Sequence, residues 1–473
     1  MNISSNNRLE KRQLSESSQP KGRWQRMLTV FLGSLAAILL ILPGNAGAFA
    51  GGDGSADDPF QIATPEHLND IRNDPGAFYI LVADIDLDVE PYNTGQGWEP
   101  IGTQESPFTG VLFGEGFEIR NLFIGRSSAD GVGLFGHTRT GEEDSGAVVL
   151  SLKLVDVDVT GESHVGGVVG DAGDGVIIFD VHVSGSVHGT SWRVGCLGGR
   201  IRSDSVVIFS SSSCDASADT SRVGGIAGEL EGSSVLIGSH STGTVTSAGN
   251  YAGGLVGETE DDSIIIRSWS SSDVSGTQYV GGLVGRAENN SVALEVFATG
   301  TVTGLEDVGG LFGTLRNETN LIVSYARGDV SGNERVGGLV GSFNSTEMIA
   351  NSYATGAVTG SLMTGGLIGE TSGEGSVMNS FWDKETSNQA DSAGGTGKTT
   401  AEMKDIATFN DPDATEGLDT PWSIVEGWSM PFQDTWGICK AANNGYPFFM
   451  WQFEKNPCHI SLPGMLMLLL DDE

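Results

Sequence analysis

The chain has 473 residues, of which 70 are glycine, 14 are proline and 4 are cysteine, and its formal net charge at pH 7 is −36. So acidic a chain repels nucleic acid and anionic lipid, and we predict neither as a partner. The glycines do not recur at every third position, which excludes a collagen-like fold.

The first fifty residues have the order of a secretory signal peptide. Residues 1–26 are polar and basic, residues 27–42 carry no charge, and the small residues that follow allow cleavage after Ala48 or Ala50. We therefore predict export to the cell surface or the medium, with no transmembrane span in the mature chain. The alternative is an inner-membrane anchor through residues 27–42, facing the periplasm, although a span usually needs about 20 apolar residues.

Residues 51–130 are predicted to form an N-terminal cap and the first strands. A helix start follows at Thr64, a threonine N-cap with proline next to it. Further on, Asp84, Asp86 and Asp88 alternate with apolar residues and therefore share one face of a strand. These three carboxylates could hold Ca²⁺, and we predict no other cofactor. A solvated strand face is the simpler interpretation.

Residues 131–385 are built from one repeated motif, Val-Gly-Gly-Leu-Val-Gly. The motif is complete at 280–285 and 336–341. Close variants begin at Val165, Val194, Val223, Ala252, Val308 and Thr364. Successive starts are 28 or 29 residues apart, and a fixed period of this size is typical of a solenoid.

Each repeat contains three short apolar runs separated by turn-forming residues, which predicts strands and leaves no room for a helix. One unit cannot bury its own apolar face, whereas stacked units can. We therefore predict an all-β fold, a right-handed parallel β-helix of eight clear rungs, with a ninth, degenerate rung near Gly131. The period is too short for a β-propeller, whose blades need about 40 to 45 residues.

One column of the repeat is aromatic in its later copies. Seventeen residues after the motif starts lie His182, Ser211, His240, Trp269, Phe297, Tyr325, Tyr353 and Phe381. In one interpretation the column packs inside the solenoid or under a corner. In the other it is an exposed stacking strip for sugar rings, which makes its last five members candidate ligand-binding residues.

Residues 386–473 are predicted to form a linker, a short helix and an aromatic C-terminal cap. Thr399 begins a capping-box sequence. An exported protein can keep disulfides, and Cys439–Cys458 could close the last segment. Cys196–Cys214 could form a second bridge, or both residues could be small core side chains. No cysteine or histidine spacing indicates zinc.

The repeat resembles the GLUG motif of secreted bacterial proteins. The resemblance rests on the six-residue motif, on Ser-Tyr-Ala-Thr-Gly-x-Val-x-Gly at 352–360, on the opening at 51–62, and on the ends at 399–403 and 445–448. It implies a bacterial, exported β-solenoid of the kind found in adhesin-like surface proteins and beside the catalytic part of IgA-specific metallopeptidases. It brings no catalytic residues with it.

The sequence contains no His-Glu-x-x-His zinc site, no Gly-x-Ser-x-Gly nucleophile elbow and no phosphate-binding loop. We therefore predict a non-catalytic surface or extracellular protein that binds a glycan or a protein at the cell surface or in the matrix. A polysaccharide-cleaving lyase or glycoside hydrolase is one alternative, with the carboxylates crowded at 258–262 as the place to look. A purely structural spacer is the other.

Overall fold

The computed structural model describes residues 49–139, 146–428 and 434–458. The predicted signal peptide, apart from its last two residues, lies outside these ranges, as does the alternative membrane anchor at 27–42. Every strand pairing in the stack is parallel and joins equivalent positions of successive repeats. Val165 pairs with Val194, and Val194 pairs with Val223. The parallel β-solenoid predicted from the repeat is therefore confirmed, while its right-handed winding stays a prediction.

The six-residue motif forms two of the sheets. Sheet 1 has eight strands, one for each clear copy of the motif. They are Val165–Gly166, Trp192–Gly195, Ser221–Gly224, Asn250–Gly253, Gln278–Gly281, Glu306–Gly309, Glu334–Gly337 and Leu362–Gly365. Sheet 2 has nine strands. They are Phe135–Thr138, Val169–Ala172, Gly198–Ile201, Ala227–Leu230, Val256–Thr259, Val284–Ala287, Phe312–Arg316, Val340–Asn344 and Ile368–Thr371. The extra strand, with a bridge from Val132 to Val165, is the degenerate ninth rung predicted near Gly131.

Sheet 3, with 28 strands, forms the rest of the stack. Its first column is Phe60–Ile62, Phe78–Leu81, Val111–Phe113, Val148–Leu150, Ile177–Phe179, Val206–Ile208, Val235–Ile237, Ile264–Ile266, Val292–Ala298, Asn320–Ala326, Met348–Ala350 and Ser376–Met378. Its second is Ile85–Asp86, Glu118–Arg120, Lys153–Gly161, His182–Gly189, Ser211–Ala218, His240–Thr242, Trp269–Ser270, Tyr353–Ala354, Phe381–Asp383 and Thr396–Lys398. Its third is Phe123–Gly125, Thr244–Ser247, Asp273–Ser275, Val302–Thr303, Val330–Ser331 and Val358–Thr359.

The repeat contains more strands than the three apolar runs predict. The motif supplies two strands instead of one, because its central Gly-Gly-Leu turns the chain from sheet 1 into sheet 2. The fourth motif residue lies at that corner and is completely buried in every clear copy, as at Leu283. The sixth residue has to be glycine. A Cβ on Gly285 would lie 2.6 Å from the carbonyl oxygen of Gly257 in the rung below.

In the first column of sheet 3 the middle residue of each strand faces the core. Ile265 is 2% exposed. Its neighbours Ile264 and Ile266 are half-buried on the outer face, because side chains alternate along a strand. The large apolar residues that recur fourteen positions after each motif start, such as Ile266, therefore line the outside of the solenoid and not its core.

Few helices interrupt the strands, and they lie toward the two ends. At the N-terminal end is Pro65–Asp70, where the Thr64 side chain accepts from the His67 N–H as predicted, followed by the 3₁₀ turn Ile71–Asn73. After the last rungs come the helices Lys384–Ser387, Thr400–Met403 and Ala407–Asn410, and the 3₁₀ turns Asn443–Gly445 and Met450–Gln452. Thr399 and Glu402 form the predicted capping box. Sheet 4 contains Ile424–Glu426, Trp436–Ile438 and Phe448–Phe449.

Candidate ligand-binding surfaces

The aromatic column exists as a stack of parallel rings. Because the strands are in register, equivalent residues of successive repeats lie directly above one another. The rings of His240 and Trp269 are 4.4 Å apart at 7°, and those of Trp269 and Phe297 are 5.6 Å apart at 8°. Tyr325 continues the stack at 4.8 Å from Phe297, and Tyr353 follows at 5.0 Å. Phe381 pairs in register above Tyr353.

Most of this column is covered by the C-terminal segment. We call residues 399–428 and 434–458 the C-terminal cover. Phe297 is 7% exposed, Tyr325 1%, and Tyr353 and Phe381 0%. They pack in one cluster with residues of the cover, namely Met403, Phe409, Leu418, Trp422, Ile424, Trp436, Ile438, Tyr446 and Phe449. These four rings are therefore not an exposed strip for sugars, because the chain's own aromatic side chains occupy that face.

Hydrogen bonds fix the cover to the column. The Tyr353 hydroxyl donates to the carbonyl oxygen of Pro447 at 2.6 Å and accepts from Nδ2 of Asn443 at 2.9 Å. Nε2 of Gln452 donates to the Tyr325 hydroxyl at 2.7 Å. Burial raises the pKa of both tyrosines, so both hydroxyls keep their protons at neutral pH.

The column continues past the four buried rings, where Trp269 and His240 are half-buried. In the rung before His240 the column position is Ser211, and Phe209, two residues earlier, is 56% exposed. Phe209 contacts the ring of Phe179 edge-on, at 5.9 Å. Burial lowers the pKa of His240, with a smaller contribution from the charge of His182, so the ring is neutral at pH 7 and stacks as an uncharged aromatic. The Phe209 ring lies over Gly238, two residues before His240. We group Phe209 with the stacked pair His240 and Trp269 as the uncovered aromatic patch.

Polar groups surround the uncovered aromatic patch. The Arg267 side chain is 57% exposed and pairs with Glu295 at 2.8 Å. On the other side, His182 hydrogen-bonds Ser211 through Nδ1 at 2.7 Å and Asp180 through Nε2 at 3.2 Å. Aromatic faces flanked by hydrogen-bonding groups are what a site for an uncharged polar ligand requires.

A charged column on sheet 2 was not predicted from the sequence. Six residues after successive motif starts lie Asp171, Arg200, Glu229, Glu258 and Arg286, paired in register across the sheet. Glu229 is 1% exposed and Glu258 is 0% exposed. The sequence signal is a charged residue inside an otherwise apolar strand, recurring at one position of the repeat.

Arginines in the strands of sheet 1 neutralise these buried carboxylates. Arg193 pairs with Glu229 and Arg222 pairs with Glu258; Arg222 also lies 3.3 Å from Glu229. Arg222 lies over the ring of Tyr251 at 5.1 Å, so the guanidinium has an aromatic face as well as carboxylates around it. Buried charges are retained only when they are paired and hydrogen-bonded in this way.

The carboxylates crowded at 258–262 differ in their surroundings: Glu258 is buried, whereas Asp261 and Asp262 are exposed. Burial raises the pKa of Glu258, and the positive charges of Arg222 and Arg286 oppose that rise. The described residues contain two groups of three carboxylates close enough to hold a metal ion, Glu229–Glu231–Glu260 and Glu258–Glu260–Glu288. Arg286 lies 3.2 Å from Glu260 and 3.4 Å from Glu288, so the second group is already part of an ion-pair network.

Asp261 and Asp262, in contrast, are exposed on a turn. They form one end of an open groove of about 660 Å³. The groove is lined by Asp261, Asp262, Asn289, Asn290, Asn317, Glu318 and Thr346. Its side chains hydrogen-bond from rung to rung, since Nδ2 of Asn289 donates to Asp261 at 3.1 Å and Nδ2 of Asn317 donates to Asn289 at 2.8 Å.

A buried carboxylate also lies near the start of the clear repeats. Arg202 donates to Asp171 through Nε at 3.0 Å and Nη2 at 3.2 Å. Burial by itself would raise the pKa of Asp171, but the hydrogen bonds of His137 and Arg202 outweigh it and hold that pKa well below its usual range. Asp171 is therefore ionised throughout the neutral range.

The predicted Ca²⁺ residues Asp84, Asp86 and Asp88 are exposed, and the apolar residues between them are buried. Their oxygens accept hydrogen bonds from protein groups. Asp84 accepts from the Glu118 N–H at 3.0 Å, and Asp86 accepts from the Asp88 N–H at 2.9 Å. Asp88 accepts from Nδ2 of Asn93 at 3.0 Å. This is the solvated strand face of the simpler interpretation, and Ca²⁺ binding there stays a prediction.

Both expected cysteine pairs are disulfides in the structure, Cys196–Cys214 and Cys439–Cys458. The first lies inside one rung and the second joins two parts of the C-terminal cover. No helix within the described ranges is long and apolar enough to cross a membrane.

The GLUG motif matches residues 276–303 of the chain. The chain is 40% identical over 94 residues to a "putative Gly-rich membrane protein" of Evansella cellulosilytica, a match that covers 20% of this chain and 11% of that protein. It is 37% identical over 175 residues to halomucin of Haloquadratum walsbyi, covering 35% of this chain and 2% of halomucin. The chain thus matches only a small part of the length of these relatives.

Among solved structures, the chain is similar to a "putative immunoglobulin A1 protease" from Bacteroides ovatus. The TM-score is 0.33 at 15% sequence identity, and the match covers 86% of this chain and 96% of that chain. This likeness is too distant to support an argument about activity. The family match at residues 276–303 lies within the repeats and includes the complete motif copy at 280–285.

Proposed function

We propose that this protein is a non-catalytic surface or extracellular protein whose solenoid binds a glycan, as in adhesion. The proposal rests on the uncovered aromatic patch of Phe209, His240 and Trp269. The C-terminal cover packs over Phe297, Tyr325, Tyr353 and Phe381, whereas Trp269 lies against the edge of that cluster and stays partly exposed. An aromatic ring left half-exposed beside hydrogen-bonding groups suits the apolar face and the hydroxyl groups of a sugar ring.

The proposed location rests on the first fifty residues, whose basic, apolar and small-residue order is that of a signal peptide. One relative carries the name of a membrane protein, which supports a place at the cell envelope. Two disulfides suit an oxidising compartment outside the cytosol. The alternative anchor through residues 27–42 would keep the same solenoid at the membrane.

Two alternative functions, an enzyme and a structural spacer, can be tested with the same purified protein. A lyase or hydrolase would use exposed carboxylates, and Asp261 and Asp262 in the open groove are better placed for this than Glu258, which is buried between arginines. A spacer would use neither surface and would bind no polysaccharide.

The test is retention of the purified protein on a panel of immobilised bacterial, algal and host polysaccharides, with and without Ca²⁺, together with an assay for new chain ends. For the best-retained polysaccharide, affinity is then measured for the wild type and for Trp269→Ala and Phe209→Ala. We expect each substitution to weaken binding about tenfold, or about 1.4 kcal/mol, because each removes a ring face.

Leu305→Ala is the matched control. Leu305 is 56% exposed, the same as Phe209, but it belongs to a turn between sheet 3 and sheet 1. Binding that is equally insensitive to all three substitutions would move the site away from the patch. New chain ends would replace the binding role by an enzymatic one, and a complete lack of retention would contradict glycan binding.

A further inference from the structure

An apolar strip runs along the outer face of sheet 3. It consists of the two outward-facing residues of successive strands in the first column. One side of it is Phe78, Val111, Val148, Ile177, Val206, Val235, Ile264, Val292, Asn320, Met348 and Ser376. The other side is Ile80, Phe113, Leu150, Phe179, Ile208, Ile237, Ile266, Leu294, Ile322, Ala350 and Met378.

No position of the apolar strip carries a charge, although the chain has 61 acidic residues and a net charge of −36. Only Asn320 and Ser376, at the C-terminal end, are polar. The strip residues are half-buried by their neighbours above and below, with Ile208 and Ala350 buried more deeply. A sheet face in contact with water usually carries polar residues. The absence of charged residues over so many rungs therefore indicates that a partner surface covers this face.

The size of the strip is close to what a specific interface needs. With strands about 4.8 Å apart, its eleven rungs extend for roughly 50 Å, and two outward residues make it roughly 12 Å wide. It would therefore bury roughly 600 Å² on each partner, or about 1,200 Å² in total, which is the lower end of the range for stable protein–protein interfaces. The turns on either side would add to this area.

The shape of the strip limits the kind of partner. Along it, the same apolar ridges recur at the spacing between strands. A surface that fits it along its whole length must be flat, uncharged and repeated at the same spacing. A second copy of the strip meets all three conditions, and sheets packed face to face interdigitate such side chains.

We propose that the apolar strip packs against the strip of a second copy of this chain, making the protein a back-to-back dimer. The interface is isologous, with the same surface on both subunits. The high net charge of each copy opposes association, and salt screens that repulsion. The dimer is therefore tighter at high ionic strength. This inference does not depend on glycan binding, although the two surfaces meet where Phe209 of the uncovered aromatic patch contacts Phe179 of the strip.

The test is sedimentation equilibrium of the full chain at about 0.15 M and 1 M NaCl. We expect twice the monomer mass at micromolar concentrations and a smaller dissociation constant at the higher salt. In Ile237→Lys we expect the dissociation constant to rise at least about a hundredfold, because symmetry places one new charge from each copy in the apolar interface. Ile237→Thr keeps a β-branched side chain for the strand and should weaken the dimer less.

Thr246→Lys is the matched control, since Thr246 belongs to the same rung, is exposed and lies in the third column of sheet 3. It adds the same charge outside the strip and should leave the dimer intact. Circular dichroism of each variant checks that the solenoid is folded. A monomeric wild type at both salt concentrations, or a dimer that survives both Ile237 substitutions, would overturn the proposal. So would a monomer that binds uncharged lipid vesicles through the strip.

Discussion

Tyr353→Phe tests whether the C-terminal cover is held on the aromatic column by specific hydrogen bonds as well as by burial. The ring of Tyr353 is 0% exposed, and phenylalanine keeps it. The substitution removes the hydroxyl that donates to Pro447 and accepts from Asn443. Both of these hydrogen bonds are lost, but Nδ2 of Asn443 still donates to the carbonyl oxygen of Pro447, which limits the cost. We expect local stability to fall by about 1–2 kcal/mol.

Hydrogen exchange measured by mass spectrometry is the appropriate assay, because a repeat protein opens by parts. The peptides of interest contain Trp436–Ile438 and Phe448–Phe449, the strands of sheet 4 that lie against the column. A loss of 1–2 kcal/mol should speed their exchange by a factor of about 5 to 30. Peptides from the strands near Val165 should exchange as in the wild type, because no residue of the cover belongs to that part of the core.

Tyr279→Phe is the control for loss of a hydroxyl. The Tyr279 hydroxyl accepts from Nη2 of Arg316 at 2.9 Å, outside the cover. Its loss should leave exchange in sheet 4 unchanged. The reasoning is refuted if Tyr353→Phe also leaves that exchange unchanged, or if exchange rises equally along the whole solenoid. In the first case burial of the rings would be sufficient, and in the second the cover would not be a separate unit.

Two further predictions follow from the buried carboxylate and from the second disulfide. The lowered pKa of Asp171 contributes stability that is fully present above the unfolded-state pKa of about 3.9 and is lost progressively as pH falls from there through the much lower folded-state pKa. The denaturant midpoint of Asp171→Asn should thus lie below that of the wild type at pH 6, and the gap should be smaller but still present at pH 3, whereas the half-exposed Asp174→Asn should change little at either pH. Replacing Cys439 and Cys458 together by serine opens a loop of 19 residues and should destabilise the cover by about 3 kcal/mol, seen as faster exchange in residues 448–450.

The stacking of the solenoid could be predicted from the motif spacing alone. Equivalent residues that recur every 28 or 29 positions must fall into register when the units stack, as Val165, Val194 and Val223 do. The number of strands could not be predicted in the same way. Whether Gly-Gly-Leu continues a strand or turns a corner depends on backbone angles that an apolar pattern does not encode.

The surroundings of the aromatic column were beyond prediction for a different reason. Both interpretations placed the residues from Phe297 to Phe381 in one column, and the structure contains that column. What covers it is a segment far along the chain, as in the hydrogen bond from Gln452 to Tyr325, which joins residues 127 positions apart. A periodic pattern describes contacts between neighbouring rungs, and it contains no information about a non-repeating segment that folds back over several of them. The buried ion pairs of Glu229 and Glu258 were not predicted, because the motif spacing does not show which arginine of sheet 1 lies against a carboxylate of sheet 2.

The C-terminal cover should change the order in which the rungs of the solenoid unfold. In a simple solenoid each rung touches only its two neighbours, so disorder can start at an end and travel inward one rung at a time. Here one folded segment contacts Phe297, Tyr325, Tyr353 and Phe381 at once, which joins four successive rungs to a common partner. Those four rungs should therefore unfold cooperatively. The C-terminal third should therefore melt as a single cooperative block, and fraying should begin at the opposite end of the rod.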